Sequence, residues 1–237
     1  MPLYVLATPI GNLSDITIRA LELLKEADII LCEDTRQTIK LLNHYQIDGK
    51  KLVSFYAQSE KAKIPEVIKY LKEKKKVCLV SDGGTPCISD PGYHLVNSCY
   101  ENNIEVFSIP GPSALTSAIS ICGFSADTFL FYGFLPRKDG KIKKVLESLK
   151  NIDGLIVFYE SPFRVKNTLN LIKEVYGEGV EIFLARELTK KYEEKFIGKV
   201  VEILEKISDK LMKGEFVIIV NLYKNKNNAK ENLPIIE

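Results

Sequence analysis

Val80–Gly92 reads VSDGGTPCISDPG and closes the apolar run Val77–Val80. Three glycines, two prolines and two aspartates crowd into this stretch, far more bend-prone chain than a plain connection requires. A short apolar run bounded by turn residues reads as a strand buried on both faces. Upstream, IPEVIKYLKEKKK reads as a helix with Pro65 near its first turn, and downstream GYHLVNSCYENN is helical. The same strand–loop–helix unit recurs on either side. LYVLAT (Leu3–Thr8) is a strand broken by PIGN, and Ser14 and Asp15 are N-caps for a helix through ITIRALELLKEA, with Ile18, Leu21, Leu24 and Ala27 on one face. DIILC, KLVSFY and IEVFSIPGP are further strands; TIKLLNHY and SALTSAISICG are helices, the last with Ser113 at its cap and Gly123 as its stop. Such alternation predicts an α/β fold with a mainly parallel sheet covered on both faces.

After Gly123 the texture changes. ADTFLFYGFLP, GLIVFYES, EIFLARELT and GEFVIIVNLY read as strands, RVKNTLNLIKEVYG and KVVEILEKISDKL as helices, and RKDGKIKK as basic, exposed chain. A chain of 237 residues, 46% hydrophobic, is long enough for two cores. The expected domains are 1–124, an N-terminal α/β domain, and 125–224, a C-terminal α/β domain with a mixed sheet; the polar stretch 225–237 reads as a mobile tail.

Composition removes several functions. A net charge of +2 supplies no broad basic field, so a polyanion site must be a local patch. Cys32, Cys78, Cys87, Cys99 and Cys122 are odd in number, without a CxxC pair, and read as small buried hydrophobes in a reducing compartment. With only His44 and His94 to join them, no metal site is expected. No run approaches the ~20 apolar residues of a membrane helix, and MPLYVLATPIGN enters a strand without a basic leader, so the expected location is cytoplasmic. The chain also lacks GxxxxGK[ST], GxGxxG after a strand, and GxSxG.

What remains are four loops at predicted strand ends: TPIGN, EDTR, SDGGTPCISDPG and PGPSA. In open α/β sheets, ligands bind beyond the carboxyl ends of the strands. Glycines admit a ligand close to the backbone, and Pro86 and Pro91 stiffen the loop. Asp82 is placed to accept from an amine or hydroxyl, and Ser113 to present a hydroxyl and free amides to an anion.

In order and spacing, TPIGNLSDIT, EDTR, SDGGTPCISDPG, PGPSALTSAI, GFLPRK, FYESPFRV, ARELTKKYEE and KGEFVIIV resemble the bacterial small-subunit ribosomal RNA 2′-O-cytidine methyltransferases of the tetrapyrrole-methylase superfamily. The resemblance extends to about Tyr223. It implies a two-domain tetrapyrrole-methylase-like fold, a homodimer, S-adenosylmethionine in the cleft between the domains, and 16S ribosomal RNA in the small ribosomal subunit as the partner. It also implies that Pro9, Ile10, Asp82, Gly83, Thr85, Ser113 and Ala114 border the cofactor, with Tyr159, Arg186 and Glu215 contributing from the second domain. The chain departs from the family pattern where SFYAQSEKAK, with Gln58 and Glu60, replaces a histidine-containing segment, and in having no added C-terminal helical piece.

Methyl transfer from a sulfonium is an in-line displacement, so the protein mainly positions the reactants. A carboxylate could take the proton of a ribose hydroxyl. Glu33, Asp34, Glu160 and Glu187 are the candidates, of which Asp34, Glu160 and Glu187 stand for the group; each could instead serve an ion pair with Arg36, Arg164 or Arg186. Arg19, Arg36, Arg137, Lys138, Arg164, Arg186 and Lys190 are candidate RNA contacts, and Arg137–Lys144 is the densest basic stretch. Two further readings stay open: a tetrapyrrole methyltransferase using the same cofactor, and a non-catalytic α/β protein that binds a nucleotide or the ribosome.

Overall fold

The computed structural model describes residues 1–207 and 213–223. The chain folds as two compact units, the first Met1–Ala114 and the second running from Leu115.

The first unit is built on five parallel strands: β1 (Leu3–Leu6), β2 (Ile29–Cys32), β3 (Lys51–Ser54), β4 (Val77–Leu79) and β5 (Val106–Ile109), in the order β3-β2-β4-β1-β5. Hydropathy sorts the strands. IILC and VCL are buried along their whole length and lie centrally, whereas KLVS and VFSI carry exposed residues and form the edges. Because successive strand residues face opposite ways, Leu6, Ile30 and Cys78 enter one core while Val5, Leu31 and Leu79 enter another. α1 (Ile18–Glu26) and α2 (Thr35–His44) supply the first core through Ala20, Leu24 and Leu41; α3 (Glu60–Lys72) and α4 (Tyr93–Glu101) supply the second through Val67, Leu71, Leu95 and Cys99.

Local details depart from the sequence expectation. Ser14 and Asp15 lie in a short 3-10 turn, Leu13–Asp15, capped by Asn12, and Thr17 is the residue that caps α1 by accepting from the Ala20 amide at 3.2 Å. The buried face of α1 is Ala20 and Leu24, while Ile18 is 77% exposed. α3 begins at Glu60, ahead of Pro65, which therefore sits inside the helix. Glu60, the first residue of this helix, is buried.

The second unit opens with α5 (Ala114–Ile121), which starts at the junction, and is built on β6 (Phe129–Phe134), β7 (Leu155–Glu160), β8 (Glu181–Arg186), β9 (Glu194–Lys199) and β10 (Phe216–Asn221), in the order β6-β7-β10-β8-β9. β6 runs parallel to β7, and the other pairings are antiparallel, so the sheet is mixed as expected. α6 (Asp139–Leu149), α7 (Val165–Tyr176) and α8 (Val200–Ile207) cover one face, burying Ile142, Leu146, Leu169, Ile172, Val200 and Ile203 against Ile156, Phe158, Ile182 and Ile218. The basic stretch Arg137–Lys144 thus leads into a helix whose buried positions, Ile142, Leu146 and Leu149, follow one another at helical spacing. β9 was not expected either: its half-buried alternation, EKFIGK, becomes a strand through pairing with β8. The expected tail 225–237, and the last residues of the helix expected through KVVEILEKISDKL, lie outside the described residues.

Candidate active site

All strands of the first sheet are parallel, so the loops after β1, β2, β4 and β5 emerge at one edge. They are tied together by backbone. Thr8 and Gly84 exchange both amide–carbonyl bonds, at 2.9 and 2.8 Å, and the Thr8 hydroxyl donates to the Ser81 carbonyl at 3.1 Å. A Cβ on Gly83 would meet the Pro9 carbonyl oxygen at 3.1 Å, so glycine here lets the TPIGN and SDGG loops lie this close without displacing backbone by a few tenths of an ångström. The Thr85 hydroxyl donates to the Pro112 carbonyl at 3.3 Å, bringing the PGPSA loop, with Ser113 and Ala114, to the same cradle. From the other side, the Asp34 amide donates to Asp82 Oδ1 at 2.9 Å. The structure therefore gathers Pro9, Ile10, Asp34, Arg36, Asp82, Gly83, Thr85, Ser113 and Ala114 at one edge. Arg19 has a different post: it donates to the Ser108 carbonyl of β5 at 3.1 Å.

This edge is acidic. Burial pushes the Asp90 carboxyl up to about 6, reinforced by the charges of Glu33 and Asp82 and opposed by a bond from Ser81. Glu33 is also raised, by burial and then by Asp82 and Asp34. Asp82 is raised by burial, against the lowering effect of the Asp34 amide. Asp34 is the exception: Arg36, bonded through Nε and Nη2 with a shortest contact of 2.6 Å, holds it at about 2. Clustered carboxylates with backbone donors and acceptors suit a ligand that carries positive charge and several polar groups.

Two features of this loop had no signal in the sequence. Cys87 and Ser89 adopt left-handed backbone, φ 69° and 66°, which is costly outside glycine and persists where the surroundings fix it. Glu60, 5% exposed, fixes the far end: its Oε1 accepts from the amides of Gly92, His94 and Leu95 at 3.2, 2.9 and 3.3 Å, at the start of α4. A carboxylate there satisfies orphan amides and complements the helix dipole.

In the second unit, β7 and β8 both run antiparallel to β10, and β6 parallels β7, so the carboxyl ends of β6, β7 and β8 share an edge. This brings together Arg137, Lys138, Tyr159, Glu160, Arg164, Arg186, Glu187, Lys190 and Glu215. Glu160, 2% exposed, accepts from the Ser161 amide, from Arg164 Nε and Nη2, and from the Thr168 hydroxyl, all between 2.7 and 2.8 Å. Glu187, at φ 52°, accepts from Lys190 Nζ at 2.8 Å and from the Glu215 amide at 3.0 Å; burial raises its carboxyl, but these bonds outweigh burial and leave it lowered. Lys190 also bonds Glu215 Oε2 at 2.8 Å, and Arg186 bonds the Lys213 carbonyl and Glu194, each at 2.6 Å. Tyr159 packs edge-on against Phe131 and Phe134.

Among the described residues no group of His, Cys, Asp and Glu is arranged to hold a metal ion, and no helix is long and apolar enough to cross a membrane. Cys32, Cys78, Cys99 and Cys122 are buried free thiols, with Cys87 partly so.

Residues 2–204 match the family described as tetrapyrrole (corrin/porphyrin) methylases. Over 219 residues the chain is 50% identical to a ribosomal RNA small subunit methyltransferase I from Thermotoga maritima, a match spanning 92% of this chain and 97% of that protein. A protein of the same name from Mesomycoplasma conjunctivae is 45% identical over 230 residues, 96% of this chain and 94% of its own length. Among solved structures, a cobalt precorrin-4 methyltransferase aligns over 93% of this chain and 94% of its own with a TM-score of 0.69 at 14% identity. A uroporphyrin-III C-methyltransferase from Thermus thermophilus, complexed with S-adenosyl homocysteine, aligns over 94% of this chain and 98% of its own with a TM-score of 0.65 at 13% identity. At such identities these structures establish the fold.

Proposed function

Since the chain belongs to the tetrapyrrole methylase family, we propose that it is an S-adenosylmethionine-dependent methyltransferase that methylates the 2′-hydroxyl of a cytidine in small-subunit ribosomal RNA. The observation that carries the substrate is the 50% identity, over nearly the full length of both chains, to a protein named for that RNA. The remote corrin and porphyrin enzymes share the fold and supply no comparable support for a macrocyclic acceptor. The reading places the enzyme in the cytoplasm, on the assembled subunit, as a homodimer.

The residues present fit the cofactor. Gly83 lets the TPIGN and SDGG loops lie side by side, and the carboxylates of Glu33, Asp82 and Asp90 complement a ligand with an ammonium and a sulfonium. Pro9, Ile10, Asp82, Gly83, Thr85, Ser113 and Ala114 would hold it from the first unit. When bound, the cofactor supplies a methyl group already activated on sulfur. The chain's task is orientation, which is worth about 7–11 kcal/mol in well-aligned intramolecular reactions. Asp34, Glu160 and Glu187 act as positioning residues in this scheme. Asp34 is held at about 2 and orders Asp82 through its amide; Glu160 locks Arg164; Glu187 locks Lys190 and the Glu215 turn. Arg36, Arg137, Lys138, Arg164 and Lys190 would meet RNA.

The test is incubation with methyl-labelled S-adenosylmethionine and either isolated small ribosomal subunits or naked RNA. Label in the ribose methyl of a cytidine is expected. Absence of label from both substrates, with the protein folded, overturns the reading.

A further inference from the structure

Phe163 is 93% exposed and Tyr192 67% exposed, and both stand in loops at the carboxyl edge of the second sheet. Neither loop hangs free. Phe163 follows Pro162 and precedes Arg164, which is clamped on Glu160, while the Arg164 and Val165 amides both donate to the Ser161 carbonyl at 3.1 Å. Tyr192 lies in the turn between Lys190, whose Nζ bonds Glu187 and Glu215, and Glu193, whose amide donates to the Lys190 carbonyl at 3.2 Å and whose carboxylate accepts from the Thr189 amide at 2.6 Å. Two aromatic rings are thus held out from pinned turns, where they contribute almost nothing to a core.

The charges around them divide unevenly. Glu160 is taken by Arg164, Glu187 and Glu215 by Lys190, Glu194 by Arg186, Glu193 by Lys195, and Asp139 accepts from Asn167. Among the described residues, Arg137, Lys138 and Lys191 have no acid within ion-pair distance, and Lys191 Nζ lies 5.5 Å from the Tyr192 ring centre. Rigid exposed aromatics beside unspent cations match a strand of unpaired nucleotides, whose bases offer faces to stack and whose phosphates offer charge. An intact duplex keeps its phosphates but hides its base faces in the stack.

We propose that this edge docks an unpaired segment of the RNA substrate, with Phe163 and Tyr192 stacking on bases and Arg137, Lys138 and Lys191 meeting phosphates. The inference rests on the RNA methyltransferase reading and adds the class of RNA and the residues that seize it. Phe163→Ala and Tyr192→Ala should each raise the KM for small-subunit RNA about 5- to 140-fold, the effect of losing one base stack. Melting temperature and S-adenosylmethionine binding should not move. Phe163→Tyr and Tyr192→Phe should restore the parental KM. In anisotropy competition, a short unpaired RNA should displace labelled substrate and the same strand in duplex should not. Replacing Arg137, Lys138 and Lys191 together by alanine should flatten the slope of log affinity against log salt by about 2. If the parent protein methylates RNA while both alanine variants keep the parental KM, the stacking edge is wrong and the function stands. Equal competition by the duplex, or loss of binding to intact subunits with naked RNA unaffected, also overturns it, the latter pointing to a protein partner. A parent that transfers no methyl to any RNA removes the functional reading on which the proposal depends.

Discussion

Glu60→Ala gives the sharpest test of how the cradle is held. The carboxylate is 5% exposed and one of its oxygens accepts from three backbone amides, those of Gly92, His94 and Leu95. Hydrogen bonds to a charged group contribute about 1.5–3 kcal/mol, and a charge at a partly buried helix N-terminus up to about 2. The alanine variant leaves the amides in a buried turn without this acceptor, so a loss of about 3 kcal/mol is expected. For a chain of this length that corresponds to a fall of about 6–12 °C in melting temperature. Glu60→Gln keeps an acceptor oxygen and loses the charge, so it should fall about half as far. Because Gly92 ends the loop that begins at Asp82, S-adenosylmethionine affinity should also drop, by about tenfold, as the loop must be ordered on binding. Thermal melting and titration calorimetry read the two effects. An alanine variant that melts within about 1 °C of the parent and binds the cofactor equally well would refute the idea that this carboxylate anchors the loop.

Asp82→Ala removes both a cradle carboxylate and the acceptor for the Asp34 amide, and calorimetry should show cofactor affinity reduced by more than about tenfold, with Asp82→Asn intermediate because its carbonyl still accepts. Asp90, raised to about 6, binds more protons in the native state than in the unfolded chain between about pH 4 and 6, so its contribution to stability is present at the acid end of that window and lost as pH rises through it. Asp90→Asn should flatten this part of the stability–pH curve in chemical denaturation; an unchanged slope contradicts the assignment. Glu160→Ala leaves Arg164 without its buried partner and should lower stability by about 3–5 kcal/mol, and if Glu160 is a positioning residue the pH profile of methyl transfer by the folded fraction should keep its shape.

The alternation of strands and helices in the first unit was readable because parallel sheets demand it. Strands buried on both faces must be continuous apolar runs, as Ile29–Cys32 and Val77–Leu79 are, and their order in the chain leaves each loop at a predictable edge. The cradle was readable for the same reason: glycine at 83 and proline at 86 and 91 are local signals. Hidden were features that exist only through distant partners. Glu60 looks like an ordinary solvated acid in QSEKAK, and its meaning comes from the α4 N-terminus more than thirty positions on. α3 also starts ahead of Pro65, against the preference for proline in a first turn. β9 carries one half-buried face and polar ends, and only its register with β8, Glu181 opposite Lys199 through Arg186 opposite Glu194, makes it a strand. Thr17 displaced Ser14 and Asp15 as the cap because the chain spends those two residues in a 3-10 turn first.

A net charge of +2 conceals two opposite local fields, and the separation has a chemical logic. At the first sheet's edge burial raises Glu33, Asp82 and Asp90, and neighbouring carboxylates add to it, an arrangement that is unfavourable in itself and is relieved by a cation. At the second sheet's edge the acids are consumed internally, each bound to a neighbouring base, and the surplus that reaches solvent is positive. A cofactor that carries positive charge and a substrate that is a polyanion make contrary demands, and a uniformly basic surface would favour RNA at the cofactor's expense. In the proposed scheme, carboxylates in the glycine-rich cradle and unpaired cations beside the aromatic edge let one nearly neutral chain serve both. A site with only three such cations engages few phosphates, so on this scheme selection falls to the nucleotides that can be stacked.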